Sequence, residues 1–292
     1  MQDVDDDHRP APTATRRRVG RLPVAVAAGI AVAVVIVVAL ALTSGPAGTP
    51  TGGRGPSGKT VLFSDTFSDE QWCNYNRVQN VDYSDPACGY HNDSYALRVE
   101  DGAARFEVRP GDSPGGGLGG GERSEISQDS APWQAAEGDE WFVQERIRLA
   151  EDFTTSGRWA IITQFHAGSG PPPLTLQVSR RGKLILRSSG EAGDANDDDG
   201  KGDRELIPAD TFKEMRGRWF DVNLHIRWSK DPDVGGTEAY INGELVAPWR
   251  AQRTMSSSRI YWKAGIYRSP ADRTQVMWLD DVVISTPESG DR

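Results

Sequence analysis

The apolar and polar positions of this chain fall into three kinds of segment. Residues 22–42 form one apolar run without a charged residue, and residues 43–59 are rich in Gly, Pro, Thr and Ser. From residue 60 to residue 287, short segments alternate between apolar and polar positions with the period of two that is typical of β-strands. The clearest segment has an apolar residue at every second position, namely Phe220, Val222, Leu224, Ile226 and Trp228.

Turn-forming pairs separate these segments. Asp101-Gly102 and Asn242-Gly243 each lie between two alternating stretches, as in tight β-hairpins. A helical period does not extend beyond a few residues anywhere between 60 and 287. Many short strands joined by tight turns are typical of antiparallel sandwiches. The sequence therefore predicts an all-β domain over residues 60–287, an antiparallel β-sandwich of the concanavalin-like β-jelly-roll type.

The apolar run 22–42 is long enough to cross a membrane, since about 20 helical residues span the hydrocarbon core of a bilayer. Four arginines, at positions 16, 17, 18 and 21, come just before it, and no charge follows until Arg54. The positive-inside rule then leaves the N-terminus in the cytoplasm. We predict a single-pass anchor in the cell membrane with the domain outside. The alternative is a signal segment cleaved near Ala41, which would release a secreted protein.

This interpretation divides the chain into five parts. They are a disordered cytoplasmic tail (1–21), a transmembrane anchor or signal segment (22–42), a flexible linker (43–59), the β-domain (60–287) and a short tail (288–292).

Charge and cysteine content narrow the possible functions. The formal net charge is −9, and residues 1–56 hold six arginines against four aspartates, so the remaining residues carry −11. Such an acidic domain argues against nucleic acid as a partner. The two cysteines, Cys73 and Cys88, have no second cysteine pair with which to form a zinc site, and outside the cytoplasm such a pair is typical of a disulfide.

Three alternating segments carry functional residue types on one face. Cations, phenols, an amide and an imidazole make a poor core surface and suit a polar, anionic ligand. If the three strands are neighbours, these side chains line one site. In chain order, the faces are Arg123 with Glu125, Gln164 with His166, and Tyr261 with Lys263 and Tyr267.

The same residues carry a resemblance to a known family. The motifs are Arg-x-Glu at 123–125, Gln-x-His at 164–166 and Tyr-x-Lys-x-Gly-Ile-Tyr-Arg at 261–268, in that order. Together they resemble jelly-roll polysaccharide lyases, most closely the heparin lyase I and glucuronan lyase group and more distantly alginate lyases. The resemblance extends from about Val61 to Thr286. It implies cleavage of an anionic, uronate-containing polysaccharide by β-elimination. We also expect a monomer that requires no cofactor.

The chemistry of that reaction suits the candidate residues. The C5 proton of a uronate becomes acidic only when its carboxylate is neutralised, and the reaction then needs a base at C5 and an acid at the bridging oxygen. The resemblance implies that Gln164 and Arg123 bind the carboxylate while His166 and Tyr267 transfer protons. We expect four further residues to bind substrate: Lys263, Tyr261, Arg268 and Glu125, the last of which could instead orient Arg123.

Metal binding has only weak candidates. Asp65 with Asp280 or Asp281 could form a structural Ca²⁺ site, because sandwich domains often bring their two ends together and Ca²⁺ prefers carboxylates. The acidic segment 194–200 resembles a calcium loop, but Ala195 stands where the first carboxylate is needed. We therefore interpret that segment as a solvated loop.

Two other functions compete with a lyase. A non-catalytic carbohydrate-binding jelly roll at the cell surface would also carry aromatic and polar faces. It would not need both His166 and Tyr267, however. A retaining glycoside hydrolase needs paired carboxylates roughly 5 Å apart. Glu122 and Glu125 have opposite parity on their strand, which makes the hydrolase the weakest of the three.

Overall fold

The computed structural model describes seven stretches of the chain, and all of them fall in one compact unit, residues 53–292. They are residues 59–82, 84–92, 94–114, 121–130, 133–154, 157–189 and 202–288. The predicted membrane segment 22–42 and the acidic segment 194–200 lie outside them. Within these stretches, no helix is long and apolar enough to cross a membrane.

In the seven described stretches, antiparallel strands make up nearly all of the regular structure. The same stretches contain one short helix, α1 (Ala209–Met215), and one 3₁₀ turn (Ala87–Gly89). The strands are β1 (Lys59–Asp65), β2 (Arg77–Gln79), β3 (Ser84–Pro86), β4 (Leu97–Glu100), β5 (Ala103–Val108), β6 (Glu122–Gln128), β7 (Glu140–Leu149), β8 (Trp159–His166), β9 (Leu174–Ser179), β10 (Leu184–Ser188), β11 (Asp203–Ile207), β12 (Trp219–Arg227), β13 (Gly236–Ile241), β14 (Glu244–Ala251), β15 (Tyr261–Arg268) and β16 (Gln275–Pro287).

The strands form two eight-stranded sheets. The first, which we call the back sheet, has the order β14-β13-β12-β7-β16-β5-β4, with β1 also paired to β16. The second, the cleft sheet, has the order β11-β10-β9-β8-β15-β6-β2-β3. Because every pair is antiparallel and the two sheets enclose one core, the predicted all-β sandwich is confirmed.

The core takes one face of each sheet, as the period of two predicted. In β12, Phe220, Val222, Leu224 and Ile226 are all buried. In β15, Trp262, Ala264 and Ile266 point into the core, so the alternate residues of that strand emerge on the outer face of the cleft sheet. Strand parity thus determines which side chains of β15 face the core and which face solvent.

The chain ends of the domain meet, and a disulfide fastens its first loop. Strand β1 pairs with β16 from Lys59 opposite Pro287 to Asp65 opposite Val282. Cys73 and Cys88 are bonded, which confirms the predicted disulfide. The bridge spans 15 residues around β2 and β3 and, in the chain-entropy model, stabilises the fold by about 3 kcal/mol.

Candidate active site

A cleft of about 760 Å³ lies on the outer face of the cleft sheet. Its walls come from six strands: β2, β6, β8, β9, β10 and β15. Strands β6, β15 and β8 are neighbours in the sheet, which brings the three predicted polar faces together. The six predicted residues that line the cleft are Arg123, Gln164, His166, Tyr261, Lys263 and Tyr267.

A buried carboxylate, that of Glu125, joins three of these side chains. Its Oε2 accepts a hydrogen bond from Lys263 Nζ at 3.0 Å and lies 3.4 Å from Arg123 Nη1. Its Oε1 accepts a hydrogen bond from the Gln164 amide. Glu125 is only 1% exposed and does not line the cleft. Of the two roles expected for Glu125, direct substrate binding does not fit its burial, whereas orienting Arg123 fits these contacts.

Lys263 sits in the middle of the site and is almost entirely buried. Burial lowers the pKa of Lys263, although the neighbouring Glu125 carboxylate opposes that shift. Its Nζ also donates to Gln79 Oε1 at 2.9 Å. In the strand register Lys263 is opposite Gln164 on one side and Ser127 on the other. Although it is buried to this extent, Lys263 contributes to the lining of the cleft.

His166 is neutral in this site. Burial, reinforced by the positive charges of Lys263 and Arg123, lowers the pKa of His166 to about 4. Its Nδ1 accepts a hydrogen bond from the Gly168 N–H at 2.9 Å and lies 3.2 Å from the Tyr261 hydroxyl. An acceptor nitrogen carries no proton, so the neutral ring has its proton on Nε2. In this tautomer the imidazole offers the cleft a hydrogen-bond donor.

The Tyr267 ring is held on three sides. The Arg123 guanidinium stacks over it at 4.0 Å, and the Trp159 ring meets it edge-on with centroids 4.8 Å apart. On the third side Gly121 approaches so closely that a Cβ there would overlap the Tyr267 ring. The phenol is therefore confined to one orientation, with its ring exposed to the cleft.

Arg268 is not in the cleft. It lies on the core face of β15, is only 1% exposed, and donates to Glu122 from Nε at 2.8 Å. Its Nη1 donates to the Arg273 carbonyl at 2.6 Å. The expected contact between Arg268 and substrate is therefore corrected to an ion pair within the fold. Its parity on the strand already indicated this face.

Several cleft residues were missed by the sequence analysis. Thr175 and Gln177 line the cleft from β9, and their alternation with leucines and valine carried the same period-two signal as Gln164 and His166. Arg187 lines it from β10 and pairs with Asp203 at 3.1 Å. Arg77 belongs to a strand of only three residues, which is too short to show any alternation.

The weak metal candidates have protein partners. Asp65 accepts hydrogen bonds from the Phe67 N–H at 2.7 Å and the Asn74 amide at 3.4 Å, and Asp281 lies 3.6 Å from Arg146. In the described part of the chain, no group of three or more His, Cys, Asp or Glu side chains could hold a metal ion.

Known proteins match this chain in family and in fold. The family model described as polysaccharide lyase matches residues 68–283. Alginate lyase AlgAT5 of polysaccharide lyase family 7 has 16% identity and a TM-score of 0.53, over 76% of this chain and 98% of that one. Alginate lyase A1-II′ of the same family has 16% identity and a TM-score of 0.52, over 72% and 93%. No curated protein sequence matches significantly.

At this identity the two structures establish a shared fold. Both are alginate lyases, the group to which the motifs gave the more distant resemblance.

Proposed function

The chain belongs to the polysaccharide lyase family and is a polysaccharide lyase, and on that premise we propose that it cleaves a uronate-containing glycan by β-elimination. One observation carries the proposal. Three donors, Arg123, Gln164 and Lys263, gather around one buried carboxylate and line the cleft that also holds Tyr267. A module that only binds sugar has no need of a confined phenol beside such a group of donors.

The three donors suit the uronate carboxylate. Removing the C5 proton places negative charge on a carbon next to a group that is already an anion, so the enzyme must stabilise a dianionic, enolate-like species. Cations and an amide in a buried setting do this more strongly than water does. We assign Arg123 and Gln164 to bind the substrate carboxylate. Lys263, on the strand next to that of Gln164, stabilises the same negative charge.

Tyr267 is the group that we assign to proton transfer. Its phenolate takes the C5 proton, the electron pair forms the C4–C5 double bond, the C4–O bond breaks, and the phenol returns the proton to the leaving oxygen. The stacked Arg123 guanidinium places a positive charge beside the phenolate. One hydroxyl can act at both positions only when C5–H and C4–O are on the same face of the sugar, as in mannuronate and glucuronate.

His166 then acts as a donor. In its Nε2–H form it can donate to the substrate, whereas a base would need a free lone pair on the same ring. For guluronate or iduronate, where C5–H and C4–O lie on opposite faces, a second proton-transfer group is required. His166 could serve there only by giving up the Gly168 hydrogen bond to Nδ1.

A polymer panel tests the proposed function. Ultraviolet absorbance of the unsaturated uronate is followed with polymannuronate, glucuronan, polyguluronate and dermatan. We expect product from the first two polymers at a rate at least about tenfold above the last two, because only the transition state of a same-face uronate fits one hydroxyl. Product only from the last two would contradict the assignment of Tyr267 to both proton transfers. No product from any of the four would contradict the uronate substrate.

We also propose that the domain acts outside the cytoplasmic membrane. The uncharged run 22–42 behind four arginines supports this location, and so does the Cys73–Cys88 bridge, since disulfides persist in oxidising compartments. Protease treatment of intact cells should release the domain while a cytosolic control protein stays intact. A domain that resists protease until the cells are lysed would rule out this topology.

A further inference from the structure

One carboxylate lies deep in the core, on the side of the cleft sheet away from the cleft. Glu145 belongs to β7 of the back sheet and is 2% exposed. Its neighbours on the same strand face, Val143 and Ile147, are apolar and buried. A carboxylate in such surroundings loses hydration that it recovers only in part from hydrogen bonds. Burial raises the pKa of Glu145 to about 7.

Both oxygens of Glu145 accept hydrogen bonds from the opposite sheet. Oε2 accepts from Thr163 Oγ1 at 2.7 Å, and Oε1 accepts from Trp262 Nε1 at 2.6 Å. Thr163 is in β8 and Trp262 is in β15, two strands that pair directly. The carboxylate therefore crosses the core and holds two adjacent strands of the cleft sheet by side-chain hydrogen bonds.

Each of the two donors directly precedes a cleft residue. Thr163 is followed by Gln164, and Trp262 is followed by Lys263. Successive strand residues point to opposite faces of the sheet. Thr163 and Trp262 therefore point into the core towards Glu145, whereas Gln164 and Lys263 point to the cleft side and contact Glu125. Gln164 and Lys263 are also opposite each other in the register. Loss of the Glu145 hydrogen bonds on the core side would therefore shift Gln164 and Lys263 relative to each other.

We propose that Glu145 is a positioning residue, which sets β8 against β15 from the core side and so fixes the spacing of Gln164 and Lys263 in the cleft. This inference rests on the proposed elimination, in which those two side chains stabilise the substrate carboxylate.

If Glu145 contributed to stability alone, its substitution would change the melting temperature and leave the turnover of the folded protein unchanged. Glu145→Leu removes the desolvation cost of the carboxylate but leaves the Thr163 hydroxyl and the Trp262 N–H without an acceptor in the core. These two effects oppose each other, so the melting temperature should stay within a few degrees of wild type. Turnover should fall by about tenfold to a hundredfold with KM within about twofold, because misplacement of catalytic groups by fractions of an ångström mainly affects the transition state.

Matched variants separate the hydrogen bonds from packing and charge. Glu145→Gln keeps an oxygen for the Trp262 N–H and places an amide against Thr163, so its turnover should stay within about threefold of wild type. Ile147→Val, on the same strand face, should lower the melting temperature by a few degrees and leave turnover unchanged. Thr163→Val and Trp262→Phe each remove one donor and should lower turnover even if Glu145→Leu fails to fold.

A readout independent of turnover separates this proposal from the proposed function. In the NMR spectrum, the side-chain amide signals of Gln164 should shift in Glu145→Leu and remain in place in Ile147→Val. Unshifted Gln164 signals, or wild-type turnover in Glu145→Leu, Thr163→Val and Trp262→Phe, would overturn the positioning role. An inactive wild type whose Gln164 signals still move would overturn the elimination alone.

Discussion

Tyr267→Phe should reduce turnover by about 10⁴-fold while polymer affinity stays within about threefold, because the change deletes only the hydroxyl that moves the proton. The ring itself remains between Arg123, Trp159 and Gly121, so the cleft keeps its shape. Turnover is measured by the absorbance of unsaturated product, and affinity by calorimetry with an oligosaccharide.

Substitutions at two other positions make this result specific. Tyr261→Phe removes a second phenol on the same strand face, one that contacts His166 Nδ1, and should keep turnover within about tenfold because the Gly168 hydrogen bond remains. His166→Gln keeps an N–H donor and should lose less than His166→Ala, for which about 100-fold is expected. Substantial turnover by Tyr267→Phe, or an inactive Tyr261→Phe, would show that the wrong phenol has been assigned.

Glu125→Gln should destabilise the domain by about 3–5 kcal/mol, because the buried cations Lys263 and Arg123 lose the anion between them. Turnover should fall at least about 100-fold, since the donors then lack their orienting partner. Chemical denaturation and the absorbance assay measure the two effects on the same preparation.

A double substitution distinguishes charge from shape. Combining Glu125→Gln with Lys263→Met removes both members of the 3.0 Å pair, so most of the lost stability should return. Turnover should not return, because the cation that faces the substrate is then absent. A Glu125→Gln variant with wild-type stability would show that the hydrogen bonds to Glu125 do not organise the site.

Strand parity predicted which residues share a face of the cleft sheet, but not how deeply each of them is buried. Gln164 and His166, like Lys263 and Tyr267, share a face in the structure as the period of two required. Parity cannot distinguish a residue on the surface of that face from one beneath its neighbours. Glu125 shares its face with Arg123, yet it is only 1% exposed and its carboxylate is in contact with Arg123, Gln164 and Lys263.

Long-range pairing was beyond the reach of sequence patterns. Nothing local in the chain indicates that β15 inserts between β6 and β8, because the paired residues are far apart in the sequence, as with Tyr261 opposite His166 and Tyr267 opposite Arg123. Trp262 and Glu145 illustrate the same limit. They are 117 positions apart in the chain, and their contact exists only because two sheets stack.

Because β1 pairs with β16, the two ends of the domain lie side by side, which suits insertion of the domain into another protein. Lys59 and Pro287 are opposite each other, so a host protein could receive the whole sandwich in one surface loop with a small gap between the two junctions. Both junctions belong to the back sheet, whereas the cleft opens from the other sheet. A fused or permuted version would therefore keep its polymer-facing side clear of the host.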